Sequence, residues 1–174
     1  MSSKKSKRLL KDVKELIELE KNQMENKSLE YRFQFKLENP DDLSIMNIYI
    51  TQITPNRESN IEKQMDKLKI QYLQLEFSFS ESYPFIPPFV RIVTPKFNTY
   101  TGHITTGGSI CMELLSNQGW SPTCNIENLL RQIILILQTG NAIIDESNFT
   151  SSYSLKDAKT AHDRAMNAHG WNKK

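Results

Sequence analysis

A chain of 174 residues, 38% hydrophobic and 24% charged, has the length and balance of one globular domain that can bury its own core. Its net charge of +2 creates no global field toward nucleic acid or an anionic membrane. No apolar run approaches the ~18 residues of a membrane-spanning helix, and none at the start reads as a secretory signal.

Over 5–20, Leu9, Leu10, Val13, Leu16 and Ile17 recur at three- and four-residue intervals. That spacing predicts a helix with one apolar stripe on the core, its other face wet. Residues 29–37 alternate instead, with Tyr31, Phe33, Phe35 and Leu37 on one side of a strand. Asn39-Pro40-Asp41-Asp42 is turn chemistry, and 43–53, with Ile45, Ile48, Tyr49 and Ile50, is a second strand. Residues 54–68 carry Pro55, Asn56 and many charges, and read as an exposed loop or a short polar helix. A third strand is expected at 69–79, with Leu73, Leu75, Phe77 and Phe79 sharing a face.

The prolines of Tyr83-Pro84-Phe85-Ile86-Pro87-Pro88 remove donors and fix φ, which predicts a stiff extended turn. A short apolar strand follows at 90–94, and 95–108 lacks periodicity, so it reads as loop. Leu129, Leu130, Ile133, Ile134 and Leu137 mark a largely buried helix over 126–137, with Asn125 as its cap. A last helix spans 154–169, capped by Ser154 and ended by Gly170. Strands grouped and helices segregated give an α+β class.

Two cysteines make no disulfide framework in a chain with its own core, so a reducing compartment, cytosol or nucleus, is expected. Cys111 sits in Gly107-Gly108-Ser109-Ile110-Cys111-Met112-Glu113-Leu114-Leu115, followed by Gly119-Trp120-Ser121-Pro122. Paired glycines allow another backbone to approach closely, as a peptide tail lying across the site would require. Taken alone, Gly-Gly-x-x-Cys fits a buried structural cysteine as well. Joined to the proline block upstream and Trp-Ser-Pro downstream, it becomes a specific pattern.

These blocks, in this order, resemble the signature of the ubiquitin-conjugating enzyme family over about residues 5–171. Met112-Glu113-Leu114-Leu115, the glycine before Trp120, and Tyr153-Ser154-Leu155 leading to His169-Gly170-Trp171 make it similar to the non-standard Q-type branch. Larger Q-type members carry a further N-terminal domain; residues 1–174 are expected to be a single conjugating domain without it. The resemblance implies an N-terminal helix, a four-stranded antiparallel meander, an active-site loop, a central buried helix and a C-terminal helix.

It also implies a chemistry. Cys111 would accept the C-terminal glycine of ubiquitin from an activating enzyme as a thioester, then pass it to an acceptor amine or hydroxyl. A thiolate suits this because it attacks a carbonyl well and leaves well. The implied partners are ubiquitin, an activating enzyme, a ligase and protein substrates, with neither nucleic acid nor membrane. No cofactor or metal is expected, since ATP is consumed by the activating enzyme.

The chain departs from the family at the His-Pro-Asn that usually precedes the cysteine. Thr101-Gly102-His103 stands there, placing His103 at the Asn position, where it is a candidate oxyanion donor or base. A solvated loop histidine is the plainer reading. Counting from the fourth strand puts Asn98-Thr99-Tyr100 there instead, with an insertion. Phe85, Ser121 and Pro122 match the loops that meet ligases, or simply pack those loops; Trp120 is expected in the core. Asp145, one place off register, is the candidate for orienting the acceptor. Lys4, Lys5, Lys7, Arg8 and Lys11 resemble the basic surface that meets the activating enzyme, though a nuclear-import patch or a plain wet face would look alike. Cys124 stands at a helix start, where the dipole lowers a thiol pKa, but is expected to pack.

Three rival readings remain. A catalytically silent variant of the fold would only hold ubiquitin or a ligase. A thiol hydrolase would use Cys111 and His103, with Asp145 or Asn141 orienting, and would leave the proline block unexplained. A zinc site finds no ligand spacing among Cys111, Cys124 and three scattered histidines.

Overall fold

The computed structural model describes residues 3–25 and 31–171, so the expected strand start at 29–30 lies outside the described residues. Helix α1 runs Ser3–Glu25. Its buried line is Leu9, Val13 and Leu16, continued by polar Lys5, Asp12 and Gln23. The predicted stripe is therefore too wide: Leu10 is 52% exposed and Ile17 37%. Each inward polar group has a partner, as burial demands. Lys5 Nζ donates to Glu81 at 2.7 Å, and Gln23 Oε1 accepts from Phe33 N at 2.9 Å.

The sheet is a meander in the order β1-β2-β3-β4, every neighbour antiparallel. Its strands are β1 (Arg32–Asn39), β2 (Asp42–Gln52), β3 (Leu73–Ser78) and β4 (Phe89–Thr94). Register places Phe33 opposite Ile50, Ile48 opposite Leu75 and Phe77 opposite Val90, so one face of the sheet is a continuous apolar layer. Helix α3 (Ile126–Thr139) buries Leu129, Leu130, Ile133, Ile134 and Leu137 in the same core. Its Asn125 cap accepts from Asn128 N at 2.9 Å, as predicted.

Residues 54–68 resolve into a turn and a second helix, α2 (Asn60–Leu68). Ser59 and Glu62 form a reciprocal capping box, and Ile61, Glu62 and Met65 are buried. Helix α2 ends at Lys69 in the left-handed region (φ 58°), which delays β3 to Leu73 rather than 69. The proline block is a compact turn, not an extended one. Its non-proline residues supply the donors: Tyr83 N reaches Ser80 O at 3.2 Å and Phe85 N reaches Ser82 O at 2.8 Å. After Cys111 comes a short 3-10 turn, Glu113–Leu115, that periodicity does not reveal. Helix α4 (Leu155–Ala168) has the predicted Ser154 cap and buries Ala158, Ala161 and Met166. Among the described residues no helix is long and apolar enough to cross a membrane.

Candidate active site

The segment between β4 and Cys111 has no helix or strand, yet hydrogen bonds tie it to its surroundings at many points. Phe97 bridges Ile144 in antiparallel fashion, with Asn98 N on Ile143 O (2.8 Å) and Asp145 N on Lys96 O (2.9 Å). Thr101 Oγ1 donates to Asn98 O and accepts from Ile143 N at 3.1 Å, while Gly102 N donates to Gly140 O at 2.9 Å. Gly102 has φ 62°, and a Cβ there would lie 2.2 Å from that of Ala142. Only glycine fits this crossing.

A hairpin follows. Ile104 bridges Ile110, with Thr105 N on Ser109 O at 2.9 Å and Cys111 N on His103 O at 2.8 Å. Its returning arm joins β4, as Ile110 N donates to Val90 O (3.0 Å) and Ile92 N to Gly108 O (2.8 Å). Cys111 thus leaves the edge of a sheet, a rigid mount for a reacting group.

The two glycines before it each admit a close approach from within this chain. A Cβ at Gly107 would sit 2.2 Å from Asp157 O, and one at Gly108 2.5 Å from the Tyr153 ring. At Gly107 the approaching backbone is that of α4, and at Gly108 it is the Ile92 carbonyl beside the Tyr153 ring.

Cys111 is a free, half-buried thiol, and burial pushes its pKa up. His103 is exposed with φ 56°; its ring edge lies over Gly140 at the end of α3, while its carbonyl holds the Cys111 amide. Asp145 turns its carboxylate onto its own loop, with Oδ1 accepting from Ser147 N (3.1 Å) and Ser147 Oγ (2.6 Å). Asn141, exposed at φ 51°, accepts from Asn60 at 3.4 Å.

Phe85, Ser121 and Pro122 are all exposed, with Phe85 at 62%, on two loops that meet through Trp120 and Pro84. Trp120 is half-buried and donates from Nε1 to Pro84 O at 2.7 Å, joining the two loops. Arg8 ties both to α1: its guanidinium donates to the carbonyls of Pro122 and Cys124 and to Asp12, which also accepts from Tyr83 OH at 2.6 Å. Burial raises the pKa of Asp12 despite these donors.

The predicted basic face is consequently broken. Lys5 is 1% exposed and paired with Glu81, and Arg8 is half-buried on carbonyls; Lys4, Lys7 and Lys11 remain outside, Lys4 with its ammonium 5.5 Å from the Phe85 ring. Charge runs do not show which member has an acidic partner elsewhere in the chain. Cys124 packs against the core as expected, although its thiol shift runs opposite to the one a helix dipole would give. Burial, helped by Asp12, pushes its thiol up against the pull of Arg8, and its sulfur contacts Asn125 O at 3.6 Å. It stands before the cap residue, whose side chain takes one of the helix's free N–H groups.

Periodicity leaves α2 open between a loop and a short helix, and its Gln64, which reaches Ile144 beside the site, goes unnoticed. Ser59 followed three places on by Glu62 is the available signal for that helix.

A family model described as "Ubiquitin-conjugating enzyme" matches residues 8–167. "Ubiquitin-conjugating enzyme E2 Q1" of Homo sapiens is 35% identical over 136 residues, 75% of this chain and 32% of that protein. The chain therefore spans roughly a third of that relative's length. A Mus musculus relative, named as a Q-like ubiquitin-conjugating enzyme, is 29% identical over 75% of this chain and 82% of its own. Among solved structures, that of human "Ubiquitin-conjugating enzyme E2 G1" has a TM-score of 0.53 at 21% identity, covering 74% of this chain and 92% of that one, a likeness of fold.

Proposed function

This chain belongs to the ubiquitin-conjugating enzyme family, in its Q-type branch, and from that premise we propose that Cys111 carries ubiquitin as a thioester and transfers it to an acceptor. The observation that carries the reading is a free, half-buried cysteine at the end of a sheet-bound hairpin, within the motif that resembles the family's signature. In loading, the Cys111 thiolate attacks the ubiquitin carbonyl held on a thiol of the activating enzyme. A new C–S bond forms, the old one breaks, and the departing thiolate takes up the proton that Cys111 released. In discharge, an acceptor amine attacks the same carbonyl, Cys111 leaves as thiolate, and the amine's proton passes to a base.

The raised thiol pKa acts on both steps. A less acidic thiol is a stronger nucleophile once ionised and a slower leaving group, but less of it is thiolate at neutral pH, so burial slows both loading and spontaneous loss. Discharge then depends on positioning and on proton removal. His103, at the position of the missing Asn, is the candidate base or oxyanion donor, and Asp145 the candidate for orienting the amine. Phe85, Ser121 and Pro122 form a rigid apolar and polar surface suited to a ligase. Lys4, Lys7 and Lys11 would steer the activating enzyme, which consumes the ATP.

The test is incubation with activating enzyme, ubiquitin and ATP. A reductant-sensitive adduct that Cys111→Ala abolishes and Cys124→Ala preserves is the expected result. Absence of any adduct in the parent protein would leave only a binding role for the fold.

A further inference from the structure

Ile144 is fully buried, and it forms an antiparallel bridge with Phe97 in which the flanking residues, not Ile144, make the hydrogen bonds. The N–H and C=O of Ile144 therefore point away from that bridge, where a further strand would satisfy them. No strand lies there among the described residues. Gln64 of α2 takes its place: its Oε1 accepts from Ile144 N at 2.9 Å, and its Nε2 points at Ile144 O at 3.4 Å. One side-chain amide thus presents the donor and acceptor of a peptide group. Two further contacts run beside it, Asn60 to Asn141 and Lys67 to Glu146 (2.7 Å), so α2 grips the segment after α3 at three points.

That segment is the other half of the lacing around the active-site loop. Ile143 holds Asn98 and Thr101, Gly140 holds Gly102, and Asp145 N holds Lys96. Next in the chain, the His103 carbonyl holds the Cys111 amide. The path from Gln64 to Cys111 is therefore continuous in hydrogen bonds and short covalent links.

We infer that Gln64 is a positioning residue for ubiquitin transfer: its amide replaces a missing strand beside Ile144 and thereby holds the 141–146 segment, and the loop carrying His103, in register with Cys111. This rests on the thioester role proposed for Cys111. Loading needs only an accessible sulfur, whereas discharge needs the acceptor, the base and the thioester aligned. Loss of Gln64 acts on the second step.

Gln64→Met keeps the volume and removes both hydrogen bonds; Gln64→Glu keeps the acceptor and removes the donor. Both are loaded by activating enzyme and ATP, then chased with free lysine over a range of concentrations. Loading rates within about twofold of the parent are expected, with maximal discharge from Gln64→Met slower by about tenfold and an intermediate value for Gln64→Glu. Loading and discharge falling together would mark a merely structural role and overturn the inference, as would parental discharge. A second measurement does not depend on the chemistry. The amide NMR signals of Ile144, Asn98, Gly102 and Cys111 are expected to move in Gln64→Met, and unmoved signals overturn the inference even in a protein that never loads. A parent that does not load, with those signals moving, overturns the role in transfer and with it the thioester reading. If Gln64→Met does not fold, Gln64→Glu carries both measurements.

Discussion

The backbone N–H of Cys111 donates to the carbonyl of His103 at 2.8 Å, so these two residues are joined through the peptide and not through the imidazole. Whatever His103 does to place the cysteine survives loss of its side chain. Whatever it does to a proton does not.

His103→Ala is accordingly expected to load at the parental rate and to discharge onto an amine about 100-fold more slowly, the scale of a lost general base. Because His103 has φ 56°, His103→Gly should lose the same chemistry with less backbone strain. Equal and parental discharge in both variants, measured in single-turnover chases, rules out a proton-transfer role.

The Cys111 thiol should be sluggish at neutral pH. Burial raises its pKa, so the thiolate fraction at pH 7 lies below that of an ordinary cysteine and grows as pH rises. Alkylation by iodoacetamide in a Cys124→Ser background should accelerate with pH, with its midpoint above that of a free cysteine peptide. A midpoint below that of the peptide contradicts the desolvation.

Glu62 makes a stability prediction whose sign can be worked out. Burial alone would raise its pKa, but hydrogen bonds from Thr54, Ile53 and Ser59 outweigh it and hold the carboxyl below its ordinary 4.5. A folded-state pKa below the unfolded one gives stability that is present above pH 4.5 and lost as pH falls through the folded value. Glu62→Gln should therefore cost about 2 kcal/mol at pH 7 and progressively less in acid, read by urea melts at several pH values.

Much of this fold is legible in local sequence signals. The alternation of Leu73, Leu75 and Phe77, and the Asn125 cap ahead of Leu129 and Leu130, are of that kind and their elements formed as expected. The misreadings share a cause. Lys5 and Asp12 are buried because Glu81 and Tyr83, 76 and 71 residues further on, supply their partners. Gln64 meets Ile144 across 80 residues. A pattern along one helix shows which residues share a face and says nothing of what faces them. Cys111 is legible from its motif, whereas the purpose of Gly107 is not, since only the fold brings Asp157 against it.

That last contact is itself testable. A methyl group at Gly107 would meet the Asp157 carbonyl, backbone that cannot swing aside, so α4 must shift. Gly107→Ala should lower stability by about 1–3 kcal/mol in denaturant melts. It should also expose α4 to hydrogen exchange; parental protection there would show that the helix is held elsewhere.

The indole of Trp120, bonded to the Pro84 carbonyl between the Phe85 and Ser121 loops, gives the protein a built-in optical gauge. Of the two tryptophans, the other is Trp171, stacked on His169 with ring centres 4.3 Å apart. In a Trp171→Phe background all indole emission comes from the junction of the two loops. A binding partner that prises them apart would shift that emission to longer wavelength, and one that clamps them would leave it in place, so the seam can be watched without any attached dye.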